Sequence, residues 1–223
     1  MNITSATLTR TAGISATAAG ALYVFIQFIH PEETLATVTT TGWIVTAVLT
    51  GLMALFALVG VTGMYVRQSP EMGTLGLIGY LLYGTFFLLV IAFSFVETFV
   101  LPALADDAPQ FVSDMLALFA GGEIVGDLGA LTALNPVAGV TYLLGGVLFG
   151  IALYRARILA RWASLLLAAG AVSALAVQFV PHSVGRMAAI PVGVALVGLG
   201  YSMIREQRSA AVRGAQLSVA GAR

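Results

Sequence analysis

From Gly73 to Val96 the chain carries no charged residue and few polar ones, and the run then meets Glu97, with Pro102 close behind. A helix needs about 20 consecutive apolar residues to cross the hydrocarbon core of a bilayer, so this stretch reads as a membrane-spanning helix with a carboxylate at its exit. Such a carboxylate costs free energy unless it reaches water or a partner. Comparable runs cover residues 12–29, 43–66, 131–154, 162–180 and 187–204. Of the 223 residues 59% are hydrophobic and 9% charged, a balance that leaves too little polar surface for a water-soluble domain.

The predicted fold is therefore all-α: a polytopic membrane protein of six transmembrane helices, with residues 1–208 as one domain and 209–223 as a short basic tail. Its orientation follows from the arginines. Nine of the ten lie at the N-terminus, at Arg67, between Arg155 and Arg161, and in the tail. The other ends of the helices hold eight of the ten acidic residues, both histidines and only Arg186. Positively charged loops stay in the cytoplasm, which puts both termini inside. The richness in Ala, Gly, Val and Leu, with Arg and no Lys, is the composition of a high-GC prokaryote, so the expected location is a prokaryotic plasma membrane.

The loop from Thr98 to about Ala130 is too long for a hairpin and carries Asp106, Asp107, Asp114, Glu123 and Asp127. It contains one amphipathic helix over residues 107–120, with Asp107 as its cap, Pro109 in the first turn, and Phe111, Met115, Leu118 and Phe119 along one face. A helix of that kind lies in the outer interface or over the mouth of the bundle.

Several chemistries are excluded. Without cysteine there is no disulfide, thiolate metal site or covalent haem, and without lysine there is no Schiff base. Zero net charge gives no field for nucleic acid. The spans carry no charge at mid-membrane, which argues against an ion-coupled transporter.

What remains is a set of polar residues at similar depth near the outer surface: Gln27, His30, Glu97, Gln178 and His182, with Arg186 as the cation on that side. If their helices adjoin, these groups form a ligand site, and Glu97, His30 and His182 are the candidates for catalysis. Polar residues at helix ends also snorkel to water or cap carbonyls without further role. No cofactor is expected. Two imidazoles and a carboxylate, from His30, His182 and Glu97, would suit a metal, and the same histidines a b-type haem, but no ligand spacing supports either.

Residues 18–31, AAGALYVFIQFIHP, echo residues 168–182, AAGAVSALAVQFVPH, which suggests a repeated helical hairpin. Residues 141–171, TYLLGGVLFGIALYRARILARWASLLLAAGA, resemble a segment of small uncharacterised multi-pass membrane proteins of actinobacteria and related prokaryotes. There an apolar helix ends in an Arg-rich turn followed by Arg-Trp-Ala and a second helix. The resemblance implies topology and no activity.

The sequence thus points first to a membrane protein whose outer-leaflet pocket binds lipid or a small apolar molecule, in a binding or accessory role. The alternatives are a membrane-embedded enzyme using Glu97 with His30 or His182, and a structural subunit, homo-oligomeric or part of a larger membrane complex, packing through Gly146 and Gly150.

Overall fold

The computed structural model describes residues 4–120, 122–173, 175 and 185–221, with side chains through residue 206 except that of Phe119. Among the described residues there is no strand. In chain order the elements are α1 (Ser5–Ile29), α2 (Thr41–Phe95), a π-helical turn (Val96–Val100), α3 (Leu101–Leu104), α4 (Pro109–Ala120), a 3-10 turn (Gly129–Ala133), α5 (Leu134–Ala156), α6 (Arg161–Ser173), a second 3-10 turn (Arg186–Ala189) and α7 (Ile190–Gly221). Among the described residues four stretches are long and apolar enough to cross a membrane: Ser5–Ile29, Thr41–Leu104, Gly129–Ala156 and Arg186–Glu206.

The second stretch is folded back on itself. Pro70 weakens the helix, and Gly73 breaks it at φ 56, ψ −156, a backbone conformation open to glycine alone. Thr62 then meets Tyr80 at 3.2 Å, and the Tyr65 and Tyr80 rings stack at 4.7 Å. A Cβ on Gly51 would touch that of Ser94 at 3.3 Å. At about 1.5 Å per residue, a straight helix would hold those last two tens of ångströms apart. Residues 41–72 and 73–95 are antiparallel arms.

The arms and helices close a ring. α1 packs on the first arm and on α7, the second arm on α5, α5 on α6, and α6 on α7. Glycine sets the close approaches, because in lipid helices associate by packing rather than by expelling water. On the α1–α7 seam Gly13 meets Gly200 and Gly20 meets Gly193, seven residues apart on each helix. The core inside the ring includes Tyr23, Met53, Tyr83, Phe87, Phe149 and Leu196, while Phe25, Leu55, Leu81, Leu144 and Leu165 stand exposed around the outside. Such an apolar exterior suits hydrocarbon.

Charge divides the two ends. At one, Arg67 pairs with Glu206 across α2 and α7, and Arg161 sits 4.1 Å over the Tyr154 ring. The other carries most of the acidic residues and a second, smaller core built by Val38, Trp43, Leu101, Val112, Met115, Leu116, Leu118 and Leu128. Here α4 lies over the end of the bundle.

Asp114 fixes that cover. Its carboxylate accepts the Val125 N–H at 2.9 Å and the Gly126 N–H at 3.0 Å, and the Gln110 amide at 3.1 Å. The Val125 amide is the largest of the influences that hold its carboxyl below the usual carboxylate range, with Gly126 and Gln110 adding to it against the effect of burial. A carboxyl whose folded pKa is depressed stabilises the fold above its unfolded value, about 3.9, and loses that contribution as pH falls through the lower folded value. Protection of the Val125 and Gly126 amides from hydrogen exchange should therefore persist at neutral pH and fade only in strong acid. Asp114→Ala should abolish it at every pH. Unchanged protection in that variant would show that the loop is held by other contacts.

Some expectations need correction. The helix predicted to end at Glu97 continues through the π turn to Leu104. Asp107 does not cap α4, since the first intrahelical bond is accepted by the Ala108 carbonyl. The apolar face of α4 includes Val112 and Leu116 with Met115 and Leu118, and Phe111 is only half-buried. The last helix runs on to Gly221, through much of the stretch read as a tail. The described part of the fifth apolar run is α6 as far as Ser173, and most of its remainder lies outside the described residues.

Candidate functional site

Pro102 shapes the site before any side chain does. It has no N–H to give the Thr98 carbonyl, and the preceding turn widens so that the Leu101 N–H bonds Val96 instead of Glu97. The Glu97 carbonyl thereby loses its ordinary donor at residue 101, and residue 102 has none to offer. A buried carbonyl needs a partner. Trp43 supplies it, its indole N–H reaching the Glu97 oxygen at 2.9 Å while the side chain is only 2% exposed. Trp43 is thus the strut that holds the turn bearing Glu97.

The other wall comes from the link after α1. Gln27 donates to the Tyr23 carbonyl at 2.9 Å, one turn back on α1. His30 ends that helix, with its ring edge-on to Trp43 at 5.9 Å between centroids. Nδ1 lies 2.9 Å from the Pro31 carbonyl, which can only accept, so Nδ1 is the donor in this bond. Thr37 donates to the Glu32 carbonyl and braces the loop that presents Glu33. From the far side Arg186, in the turn before α7, bonds Glu33 at 2.6 Å and the His30 carbonyl at 3.4 Å. Glu97 lies within electrostatic reach of both Glu33 and Arg186.

These groups surround a cavity of about 280 Å³ whose upper wall is Gln27, His30, Glu33, Glu97 and Arg186, and whose lower wall is Tyr23, Ile26, Met53, Phe86 and Val90. A second cavity of about 460 Å³ shares Gln27, His30, Glu33 and Arg186 and reaches Ala120 at the end of α4. The Glu33–Arg186 pair is common to both. Beside the lower wall the phenols of Tyr23, Tyr83 and Tyr142 come together, and the Tyr83 hydroxyl, fully buried, has no hydrogen-bond partner among the described residues.

Of the residues singled out by sequence, Gln27, His30, Glu97 and Arg186 line one cavity. Gln178 and His182 lie outside the described residues. Among the described residues no group of three His, Cys, Asp or Glu is placed to hold a metal ion. Glu123 and Asp127 are exposed. Sequence reading missed Glu33 as the partner of Arg186. The lone cation among eight acids announced a pairing, but which acid it chooses depends on how the link folds over α1.

Comparison with protein-family models, curated proteins and solved structures found no match for this chain.

Proposed function

We propose that the chain is a six-span integral membrane protein of a prokaryotic plasma membrane, termini inside, that binds a lipid or small apolar molecule with a polar head in the outer half of its bundle. The observation supporting this reading is a cavity with a charged upper wall and an apolar lower wall. Small-molecule sites commonly enclose about 300–1,000 Å³, so about 280 Å³ fits a small ligand or the head and first carbons of a lipid. The second cavity, leading from the α4 cover, offers a route of entry. Gly146 and Gly150, the residues on which a structural-subunit role rested, are buried against Ala171 and Ala168 of α6 within this chain.

The test is to fill the cavity. Thr50 lines it and its hydroxyl bonds its own helix, at the Thr46 carbonyl, so Thr50→Phe adds volume without breaking a hydrogen bond between helices. Native mass spectrometry of the purified protein should find a bound small molecule or lipid retained in the parent chain and lost in Thr50→Phe, with the size-exclusion profile unchanged and the thermal midpoint lowered only by the stabilisation the ligand gave. An empty parent, or identical occupancy in both, would overturn the proposal.

A further inference from the structure

The geometry points to the ligand's head being a cation: the outer cavity takes a small ammonium-headed amphiphile, with the Glu97 carboxylate as its counter-ion. This rests on the pocket reading above and adds the charge of the occupant. Three observations carry it.

First, the positive charge of the upper wall already has a partner within the protein. Arg186 bonds Glu33 at 2.6 Å, with side chains only 16% and 14% exposed. An anionic head would have to displace Glu33 from that bond and leave a carboxylate in a poorly hydrated wall. Second, Glu97 faces the same cavity, and its carboxylate makes no hydrogen bond with any described residue. With Glu33 and Glu97 against Arg186, the described charged groups of the wall hold one more carboxylate than cation. Third, the ring of Tyr23 and that of Phe86 form part of the lower wall. Aromatic faces attract ammonium groups and tolerate alkyl chains equally well. A primary ammonium brings donors and a positive charge to this wall, an alcohol brings one donor, and a carboxylate brings no donor and a negative charge.

Trp43 makes the test direct, because its indole is bonded to Glu97 and packed on His30. The chain has two tryptophans, so Trp162→Phe leaves Trp43 as the sole indole emitter. That variant, in nanodiscs of phosphatidylcholine, is titrated with n-octylammonium, 1-octanol and octanoate, following Trp43 emission. The ammonium should bind about tenfold more tightly than the alcohol, as expected of one added charge pair near a protein surface. Octanoate should bind most weakly. Glu97→Gln should reduce the ammonium to the level of the alcohol while leaving alcohol binding in place. Equal binding of all three, or tightest binding of octanoate, overturns the cation assignment and leaves the pocket reading standing. If no probe changes Trp43 emission and none is retained by mass, both fail.

Discussion

Gly20→Leu is expected to leave no folded protein. A Cβ at this position would stand 2.3 Å from the Gly193 carbonyl oxygen and 2.7 Å from the Val197 nitrogen, so the obstacle is backbone on the opposing helix and not the tip of a movable side chain. Ordinary overpacking costs about 1–3 kcal/mol, because neighbouring side chains can shift. Here α1 would have to withdraw from α7 along its length, since Gly13 and Gly200 make the same approach seven residues away, with a Cβ on Gly200 only 2.5 Å from the Gly13 oxygen. Such a withdrawal would also move Gln27 and His30 away from Arg186 and so dismantle the outer cavity. Gly193→Leu should behave alike from the other side. The control is Gly139→Leu on α5, where an added Cβ meets nothing within 4 Å. Size-exclusion profile and thermal midpoint in mild detergent distinguish the cases: a monodisperse Gly20→Leu protein melting with the parent would mean that this seam does not hold the ring together.

That seam shows where sequence reading stops. The apolar runs announce themselves by composition, and the end-to-end division of charge by simple position, because a bilayer tolerates so few alternatives. Which of the 25 glycines touch across helices is a property of helix neighbours, and Gly13, Gly20, Gly193 and Gly200 look in sequence like any others. The Gly146-x-x-x-Gly150 spacing was legible as a packing face, but nothing in it said that α6 would be the partner. Glu97 stood out as a carboxylate at the end of an apolar run. Its position within a longer helix depended on Pro102 widening a turn and on an indole N–H 54 residues earlier donating to the displaced carbonyl. The Glu33 side chain was hidden in a Thr-rich link, and its role became visible only once Arg186 arrived beside it.

Arg186→Gln should be the most destabilising change at the acidic end, and more damaging than Glu33→Gln. The pair is mostly buried, at 16% and 14% side-chain exposure, and removing one partner of such a pair costs about 3–5 kcal/mol because the other is left charged in a poor solvent. The two halves are not equivalent. Without Glu33, Arg186 still has Glu97 within electrostatic reach. Without Arg186, Glu33 and Glu97 face one another across the cavity with no described cation between them, and like charges at short range add to the cost. Arg186 also gives up its hydrogen bond to the His30 carbonyl, which ties the end of α1 to the start of α7. The double variant Glu33→Gln, Arg186→Gln should recover much of the loss, and adding Glu97→Gln to Arg186→Gln should recover part of it. Thermal midpoints of the parent, the Glu33→Gln and Arg186→Gln single variants and their double variant form a double-mutant cycle, and contacting charged groups should show a coupling of about 0.5–3 kcal/mol. Strict additivity, or a Glu33→Gln variant weaker than Arg186→Gln, would mean that the electrostatics of this wall do not run through Arg186, and the cation preference assigned to Glu97 would lose its basis with it.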